Sequence, residues 1–454
     1  ERQGIRAALI RSQASEHFLA THDRLTLLLN RSEFSRELHS NLERAVRDRE
    51  PLALLFVGVD RFKSVNESLG RSAGDELLQQ IAARLTDPIR RSDVIARVGS
   101  DEFVVMLHSV TRDHGPAKAA QTLLESLAKP YEVARREIWV TASIGIAVFP
   151  RDGKKPEDLI RNAEVAMITV KAEGANRYHY YAEYMNKLTM ERFEMEKRLR
   201  RAIENEELRV YFQPQIDVSA GKIGGAEALM RWMDPDRGLI PPNDFIPLAE
   251  ETGLIVPMGE WILRAACEQA TRWSQGIEVG VNVSSRQLAR KGFSEVVARI
   301  LRETGLAPSR LDLEITESCI LDTGGLTIAS LTSLRKLGVR ISIDDFGTGY
   351  SSLIALKNLP VDGLKIDRAF VRNLPADRGD ATIARALITM ATGLGRKLVA
   401  EGIETREQMQ FLYTEGCQHL QGYLFSRPIP AEEFALHLEA EKAPWDEALE
   451  DLPV

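Results

Sequence analysis

Residues 311–347, LDLEITESCILDTGGLTIASLTSLRKLGVRISIDDFG, open with a short apolar strand, pass through a helical stretch and close on a second apolar strand that ends in two acids. The same alternation runs from residue 208 onward. Its strands are RVYFQPQID (209–217), GAEALMRW (225–232), VGVNVS (279–284), LDLEIT (311–316), RISIDDFG (340–347), GLKID (363–367), KLVAEGIE (397–404) and QGYLFS (421–426). Eight such units in that length specify an α/β barrel of the TIM type. No repeat in the sequence itself accompanies them.

A polar residue recurs at or near the end of these strands: Glu227, Asn282, Glu314, Asp344 with Asp345, Lys365, Glu401 and Gln421. Strand ends in such a barrel converge on one face, where active sites lie. A single acid there reads as a loop residue or a helix N-cap; the recurrence is what points to a site. So many carboxylates in one mouth repel each other or take up protons unless cations intervene. Oxygen ligands suit magnesium or manganese, and no Cys/His set is present to suit zinc. Asp344 and Asp345 carry two readings. Consecutive residues of a regular strand face opposite ways, so either the strand ends in an ordinary turn, or Gly347 and Gly349 let the chain bend and both acids line the mouth.

The 454 residues exceed what one core usually supports, which predicts two domains. Hydrophobic content of 44% and charged content of 28% are those of a globular protein, and the apolar runs are too short to cross a bilayer. A net charge of −7 argues against a nucleic-acid polymer as partner. The three cysteines, Cys267, Cys319 and Cys417, lie far apart and fit a reducing compartment. The expected location is cytoplasmic, or the cytoplasmic part of a membrane-anchored protein.

Ahead of the barrel, residues 21–180 read as an α+β domain. LALLFVGVD (52–60) is a buried strand, SAGDELLQQIAARL (72–85) an amphipathic helix, and DVIARVGSDEFVVMLHS (93–109) two strands around a tight turn. WVTASIGIAVFP (139–150) is a further strand and PEDLIRNAEVAMITVKAEG (156–174) a helix. The order β-α-β-β-α-β predicts one sheet covered by helices on one face, a palm-like fold. Residues 181–206, rich in alternating charge, read as a linker helix. Residues 1–20 read as a connector helix from an upstream sensory or membrane module, or as the first helix of this domain. The barrel is expected over 207–440, with a tail at 441–454.

The motifs EALMRW (227–232), NVS (282–284), EITE (314–317), DDFGTGYSSL (344–353), KID (365–367), EGIE (401–404) and QGYLFS (421–426) resemble the EAL family of cyclic di-GMP phosphodiesterases, in order and spacing. The likeness implies hydrolysis of cyclic di-GMP to linear pGpG, with two magnesium or manganese ions roughly 4 Å apart. It assigns Glu227, Asn282, Glu314 and Asp344 to one ion, and Asp344, Asp345 and Glu401 to the other. It makes Lys365 the contact of the nucleophilic water and Glu401 a candidate base, with Glu227 also in the catalytic set. Arg231 would meet phosphate, Gln213, Asp367, Glu404 and Gln421 would lie near the substrate, and Glu317 would hold the DDFG loop. Relatives often work as homodimers, which is the expectation here. A cyclic di-GMP receptor without hydrolysis and a bifunctional cyclase/phosphodiesterase are the competing readings.

THDRLTLLLNRSEF (21–34), VDRFKSVNESLGRSAGDELL (59–78) and RVGSDEF (97–103) resemble the GGDEF family of diguanylate cyclases. The departures fall on chemistry. Ser100 replaces the signature's second glycine, Gly58 stands where that family has a metal-binding aspartate before Asp60, and Ala175 stands where it has an arginine. Lys63, Asn66, Asp75, Asp101, Glu102 and Lys171 match the nucleotide-site positions. Asn66 and Asp75 read either as guanine contacts or as helix caps. Arg90 and Asp93 read either as the family's inhibitory RxxD site or as a surface ion pair. The expectation is a degenerate domain that binds GTP and regulates the barrel.

Overall fold

The computed structural model describes residues 18–90, 92–108, 115–273, 276–317, 319, 324–347 and 359–440. Most of the expected N-terminal connector, the tail 441–454 and Gly349 lie outside them. The chain divides into two compact units, Glu1–Glu194 and Met195–Val454. Among the described residues no helix is long and apolar enough to cross a membrane.

In the first unit, Asn30 caps helix α1 (Arg31–Asp48), its side chain accepting from Glu33 N. Strand β1 (Leu52–Val59) follows, with all eight residues buried. Helices α2 (Phe62–Leu69) and α3 (Arg71–Thr86) lead to β2 (Val94–Arg97) and β3 (Glu102–Leu107). Then come α4 (Pro116–Leu127), a small hairpin of β4 (Tyr131–Val133) and β5 (Arg136–Ile138), β6 (Ala142–Phe149), α5 (Pro156–Ala172) and β7 (Tyr178–Tyr180). The main sheet runs β2-β3-β1-β6-β7, with β1 antiparallel to both neighbours.

Helices cover both faces of this sheet, not one. Ala53, Leu55, Val57 and Val59 pack with Leu77, Leu78 and Ile81 of α3 and Leu123 of α4. Leu52, Leu54 and Phe56 pack on the other side with Phe34, Leu38 and Leu42 of α1 and Leu159 and Met167 of α5. The physical reason stands in the strand itself. LALLFVGV shows no polar alternation, and such an unbroken apolar run marks a strand buried on two faces.

Helix α6 (Tyr184–Glu204) leads into the second unit. There β8 (Leu208–Asp217) and β9 (Lys222–Asp234) form a hairpin, with Leu208 opposite Trp232 and Gln213 opposite Glu227. The appended β10 (Gly238–Ile240), α7 (Pro242–Thr252) and α8 (Ile255–Thr271) precede β11 (Glu278–Asn282). Next are α9 (Ser285–Leu288), α10 (Phe293–Thr304), β12 (Leu311–Thr316), α11 (Gly324–Lys336), β13 (Arg340–Phe346) and β14 (Gly363–Ile366). The barrel finishes with α12 (Arg368–Val371), α13 (Arg378–Gly393), β15 (Lys397–Ala400), α14 (Arg406–Thr414), β16 (His419–Leu420), β17 (Ile429–Pro430) and α15 (Ala431–Glu439).

Pairing runs β8-β9-β11-β12-β13-β14-β15-β16 and returns to β8, so eight strands close the barrel. Seven are parallel to one another; β8 is antiparallel to both β9 and β16. The cause is the turn after Asp217. Its carboxylate accepts from Ser219 Oγ at 2.6 Å and Ala220 N at 3.1 Å, and Gly221 takes a φ of 63°. A turn that tight makes a hairpin, whereas a parallel crossover needs a dozen or more residues. A second difference concerns QGYLFS: the eighth strand is His419–Leu420, and 421–426 follow it as turns.

The strand period sorts the chemistry. Val279, Val281, Leu313, Ile315, Ile341, Ile343, Leu364, Ile366, Leu398 and Ala400 join the apolar cluster with the surrounding helices. The alternate positions, Asn282, Glu314, Asp344, Lys365 and Glu401 among them, fall on the opposite side of their strands, toward the barrel axis.

Candidate active site

Lys365 is the centre of the mouth. Its side chain is almost fully buried at 2% exposure, and Nζ lies 2.6 Å from Glu314 Oε2, 3.2 Å from Glu227 Oε2, 3.5 Å from Asp344 Oδ1 and 2.5 Å from Glu401 Oε1. Four strands, β9, β12, β13 and β14, and the residue after β15 therefore deliver their polar side chains to one point. Ligand oxygens of Glu227, Glu314 and Asp344 all lie within 4.8 Å of one another. Glu227 is held at both oxygens: Asn282 Nδ2 donates to Oε1 at 2.6 Å, and Gln421 Nε2 donates to Oε2 at 2.6 Å.

The electrostatics show too little positive charge for this many carboxylates. Burial drives the Lys365 ammonium toward losing its proton, but Asp344, Glu227, Glu314 and Glu401 overcome that and hold its pKa well above the ordinary lysine value. Burial also raises Glu227, and there the Lys365 charge and the Gln421 and Asn282 hydrogen bonds prevail, leaving it below its usual value. Glu314 is less fortunate: burial keeps it well above the carboxylate range despite Lys365. Burial, with Asp344 and Glu227 adding repulsion against the pull of Lys365, pushes Glu401 up to about 8. Its Oε1 is buried and makes no aligned hydrogen bond, although Nζ is close. One ammonium thus leaves an oxygen-only cluster that takes up protons, the condition a hard divalent cation relieves. The residues fit such an ion.

The chain bends at the end of β13, so Asp344 and Asp345 do not alternate as on a regular strand. Asp345 itself takes a φ of 53°, and the β13–β14 pairing slips between Ile343 and Phe346. Asp344 faces Lys365, while Asp345 lies beside Asp367; burial first, then Asp344 and Asp367, push Asp345 up to about 7. Gly347, at φ 100°, follows after Phe346, and its N–H donates to Glu317 Oε2 at 3.2 Å. Glu317 is 2% exposed, so Gly347, the last described residue before 348–358, is held by a buried carboxylate.

The remaining expected residues fall around this centre. Gln213 accepts from Gln421 Nε2 at 3.2 Å and donates to Ser426 O at 3.1 Å. Arg231 lies half-buried four residues beyond Glu227 on β9, its guanidinium 5.6 Å from the Tyr211 ring centroid. Asp367 caps α12, accepting from Ala369 N at 2.7 Å. Glu404 is exposed and its backbone N–H donates to Gln408 at the start of α14.

In the first unit a side chain at Gly58 would put its Cβ 2.8 Å from both Lys171 Nζ and Met167 Sδ, so lysine fills the place where the likeness expects a carboxylate. Asp60 is saturated internally: Thr141 Oγ1 and Ser143 Oγ donate to it at 2.7 Å each, and Asn176 N at 3.3 Å. Asp101 accepts from Ser100 Oγ at 2.5 Å, and burial, with Glu164 and Asp101 nearby, raises Glu102. Asn66 and Asp75 are not caps. They lie inside α2 and α3, whose N-caps are Arg61 and Gly70, and Asn66 Oδ1 rests 1.9 Å from where a Cβ on Gly74 would be. Lys63 is exposed on α2. Arg90 and Asp93 do not form the surface ion pair. Asp93 instead accepts from His108 N at 2.9 Å and lies 3.5 Å from His108 Nδ1.

Sequence reasoning missed the row below these polar residues. Two residues before Glu227, Asn282 and Lys365 stand Gly225, Gly280 and Gly363, and before Glu314 and Asp344 stand Asp312 and Ser342. A Cβ on Gly280 would come 2.2 Å from Glu314 Oε1, so the missing side chain leaves the space that the Glu314 carboxylate occupies. Ser342 Oγ donates to Asp312 Oδ2 at 2.6 Å. The signal was a glycine at i−2 in three of these five strands.

Comparison with known proteins follows this division. The family model described as EAL domain matches residues 196–428, and that described as diguanylate cyclase, GGDEF domain, matches 20–177. The bifunctional diguanylate cyclase/cyclic di-GMP phosphodiesterase MucR of Pseudomonas aeruginosa is 42% identical over 419 residues, 91% of this chain and 61% of that protein. The cyclic di-GMP phosphodiesterase NbdA of the same organism is 39% identical, covering 95% of this chain and 56% of NbdA. The chain thus spans little more than half the length of these curated relatives. The solved PaMucR phosphodiesterase, a c-di-GMP complex, is 45% identical, covers 53% of this chain and 99% of that one, and superposes with a TM-score of 0.51.

Proposed function

We propose that this chain, which belongs to the EAL domain family and carries a GGDEF domain ahead of its barrel, hydrolyses cyclic di-GMP to linear pGpG. The observation that carries the reading is the convergence of Glu227, Glu314, Asp344 and Glu401 on one buried ammonium, with three ligand oxygens inside 4.8 Å.

Glu227, Asn282, Glu314 and Asp344 would hold one divalent cation, and Asp344, Asp345 and Glu401 a second. When bound, such ions supply Lewis-acid polarisation of the phosphodiester and a more acidic water. The chain's own groups do the rest. Arg231, above Glu227 on the same face of β9, binds a phosphate oxygen at the rim. Lys365 Nζ holds the attacking water against Glu401, whose buried Oε1 takes its proton. The water oxygen joins phosphorus, the bond from phosphorus to the departing sugar oxygen breaks, that oxygen takes a proton from solvent water to become a hydroxyl, and the ring opens to a 5′-phosphorylated dinucleotide. Turnover of cyclic di-GMP with magnesium, followed by chromatography of pGpG, tests this. Binding without turnover would replace the reading with that of a receptor, against which the complete ligand set stands.

For the first unit we infer a degenerate domain that binds GTP and biases the barrel. Support comes from Lys171 filling the space at Gly58 and from the internal saturation of Asp60. GTP should change the kcat or KM for cyclic di-GMP without yielding cyclic di-GMP itself; no change in either at saturating GTP removes regulation from the account.

A further inference from the structure

The amide of Gln421 faces two ways at once. Nε2 donates to Glu227 Oε2 at 2.6 Å and to Gln213 Oε1 at 3.2 Å, while Oε1 accepts from Gln215 Nε2 at 3.1 Å. An amide flip would set its carbonyl oxygen against a carboxylate and its NH2 against another NH2. All three glutamines are buried, Gln421 at 3%, Gln215 at 7% and Gln213 at 8% exposure, so water offers little alternative to these bonds. Gln215 has a seat made for it. It lies opposite Gly225 across the β8–β9 hairpin, and a Cβ there would stand 2.8 Å from Gln215 Oε1. The catalytic reading uses Glu227 and the neighbouring Gln213 and Gln421, and leaves Gln215 without a role.

We propose that Gln215 is a positioning residue, which fixes the Gln421 amide and through it the orientation of the Glu227 carboxylate as a metal ligand. The proposal rests on the reading of Glu227 as a ligand. Gln215, on β8, reaches Glu227 through Gln421, the residue that follows β16. Partners that orient a ligand in this way commonly change metal affinity ten- to a hundredfold when lost.

The experiment is Mn2+ titration of the whole chain by calorimetry, on wild type, Gln215→Met, Gln421→Met and the double variant, with thermal unfolding in parallel. Methionine keeps the length of glutamine and removes the donor. The expected result is a Kd for Mn2+ weaker by about tenfold in Q215M, with no further weakening when Q215M is added to Q421M. Gly225→Ala, which displaces the Gln215 amide from the other side, should reproduce the effect if Q215M folds poorly. An unchanged Kd, a fall in Tm with no change in Kd, additive losses in the double variant, or no Mn2+ binding by wild type each overturn the proposal. Turnover separates the two readings: a wild type that binds Mn2+ with this pattern yet leaves cyclic di-GMP intact refutes hydrolysis alone. A wild type that turns over substrate while Q215M binds Mn2+ normally refutes the relay alone.

Discussion

Replacing Lys365 by methionine removes the one ammonium that Glu227, Glu314, Asp344 and Glu401 share. Methionine has nearly the same volume, so the packing loss is small and the effect is electrostatic. Breaking a buried ion pair by deleting one partner costs about 3–5 kcal/mol, because the other charge is left uncompensated. Here four carboxylates lose one partner, and proton uptake limits the penalty, since Glu314 and Glu401 already sit above the carboxylate range. We expect about 3–5 kcal/mol of lost stability in chelator at pH 8, a Tm fall of very roughly 6–20 °C for a unit of this size. Added Mn2+ should restore more Tm in the variant than in wild type, because the ion supplies the missing charge. Circular dichroism melts in chelator and in Mn2+ measure both. A fall below about 1 kcal/mol, or equal metal stabilisation of the two proteins, would refute the claim that this lysine compensates the cluster.

Asp344→Asn should lower kcat by two orders of magnitude or more, since a lost ligand weakens a contribution of several kcal/mol; near-normal turnover of labelled cyclic di-GMP would refute the ligand assignment. Metal affinity should rise with pH. Burial, with neighbouring carboxylates, pushes Asp345 up to about 7 and Glu401 up to about 8, so below those points each carries a proton that a bound cation must displace. Calorimetry in two buffers of different ionisation enthalpy should show proton release that fades above pH 8. Calcium should inhibit where magnesium activates, because it demands a looser, larger shell; equal activity with both counts against the site as drawn. In the first unit, Leu54→Ala should cost about 2–5 kcal/mol by cavity formation, read from the denaturation midpoint of that unit. An exposed-residue effect of a few tenths would contradict burial on both sheet faces.

The barrel and its polar residues were legible because both obey period two: the same alternation that puts Val281 and Leu313 against the helices puts Asn282 and Glu314 on the other side. The reversed first strand was less visible, although the signal, an Asp217–Ser219–Ala220–Gly221 turn between two strands, was local. Expecting a uniform barrel overrode it. The two-sided burial of the first sheet was written in LALLFVGV and lost to an argument from element order. The placement of Gln215 was beyond sequence reasoning, since it depends on a strand pairing and on an empty space at Gly225. The bend at Asp345 was one of two open readings; Asp345 takes a positive φ of its own, and Gly347 takes another.

Because β8 travels opposite to its neighbours, its starting residue Leu208 lies beside Trp232, at the end of β9 that carries Arg231, not beside Lys222. In an all-parallel barrel the polypeptide would arrive at the floor, as far from the chemistry as the fold permits. Here it arrives at the lip. Helix α6 thus feeds the chain into the barrel at the end of β9 that carries Arg231, five residues ahead of Gln213.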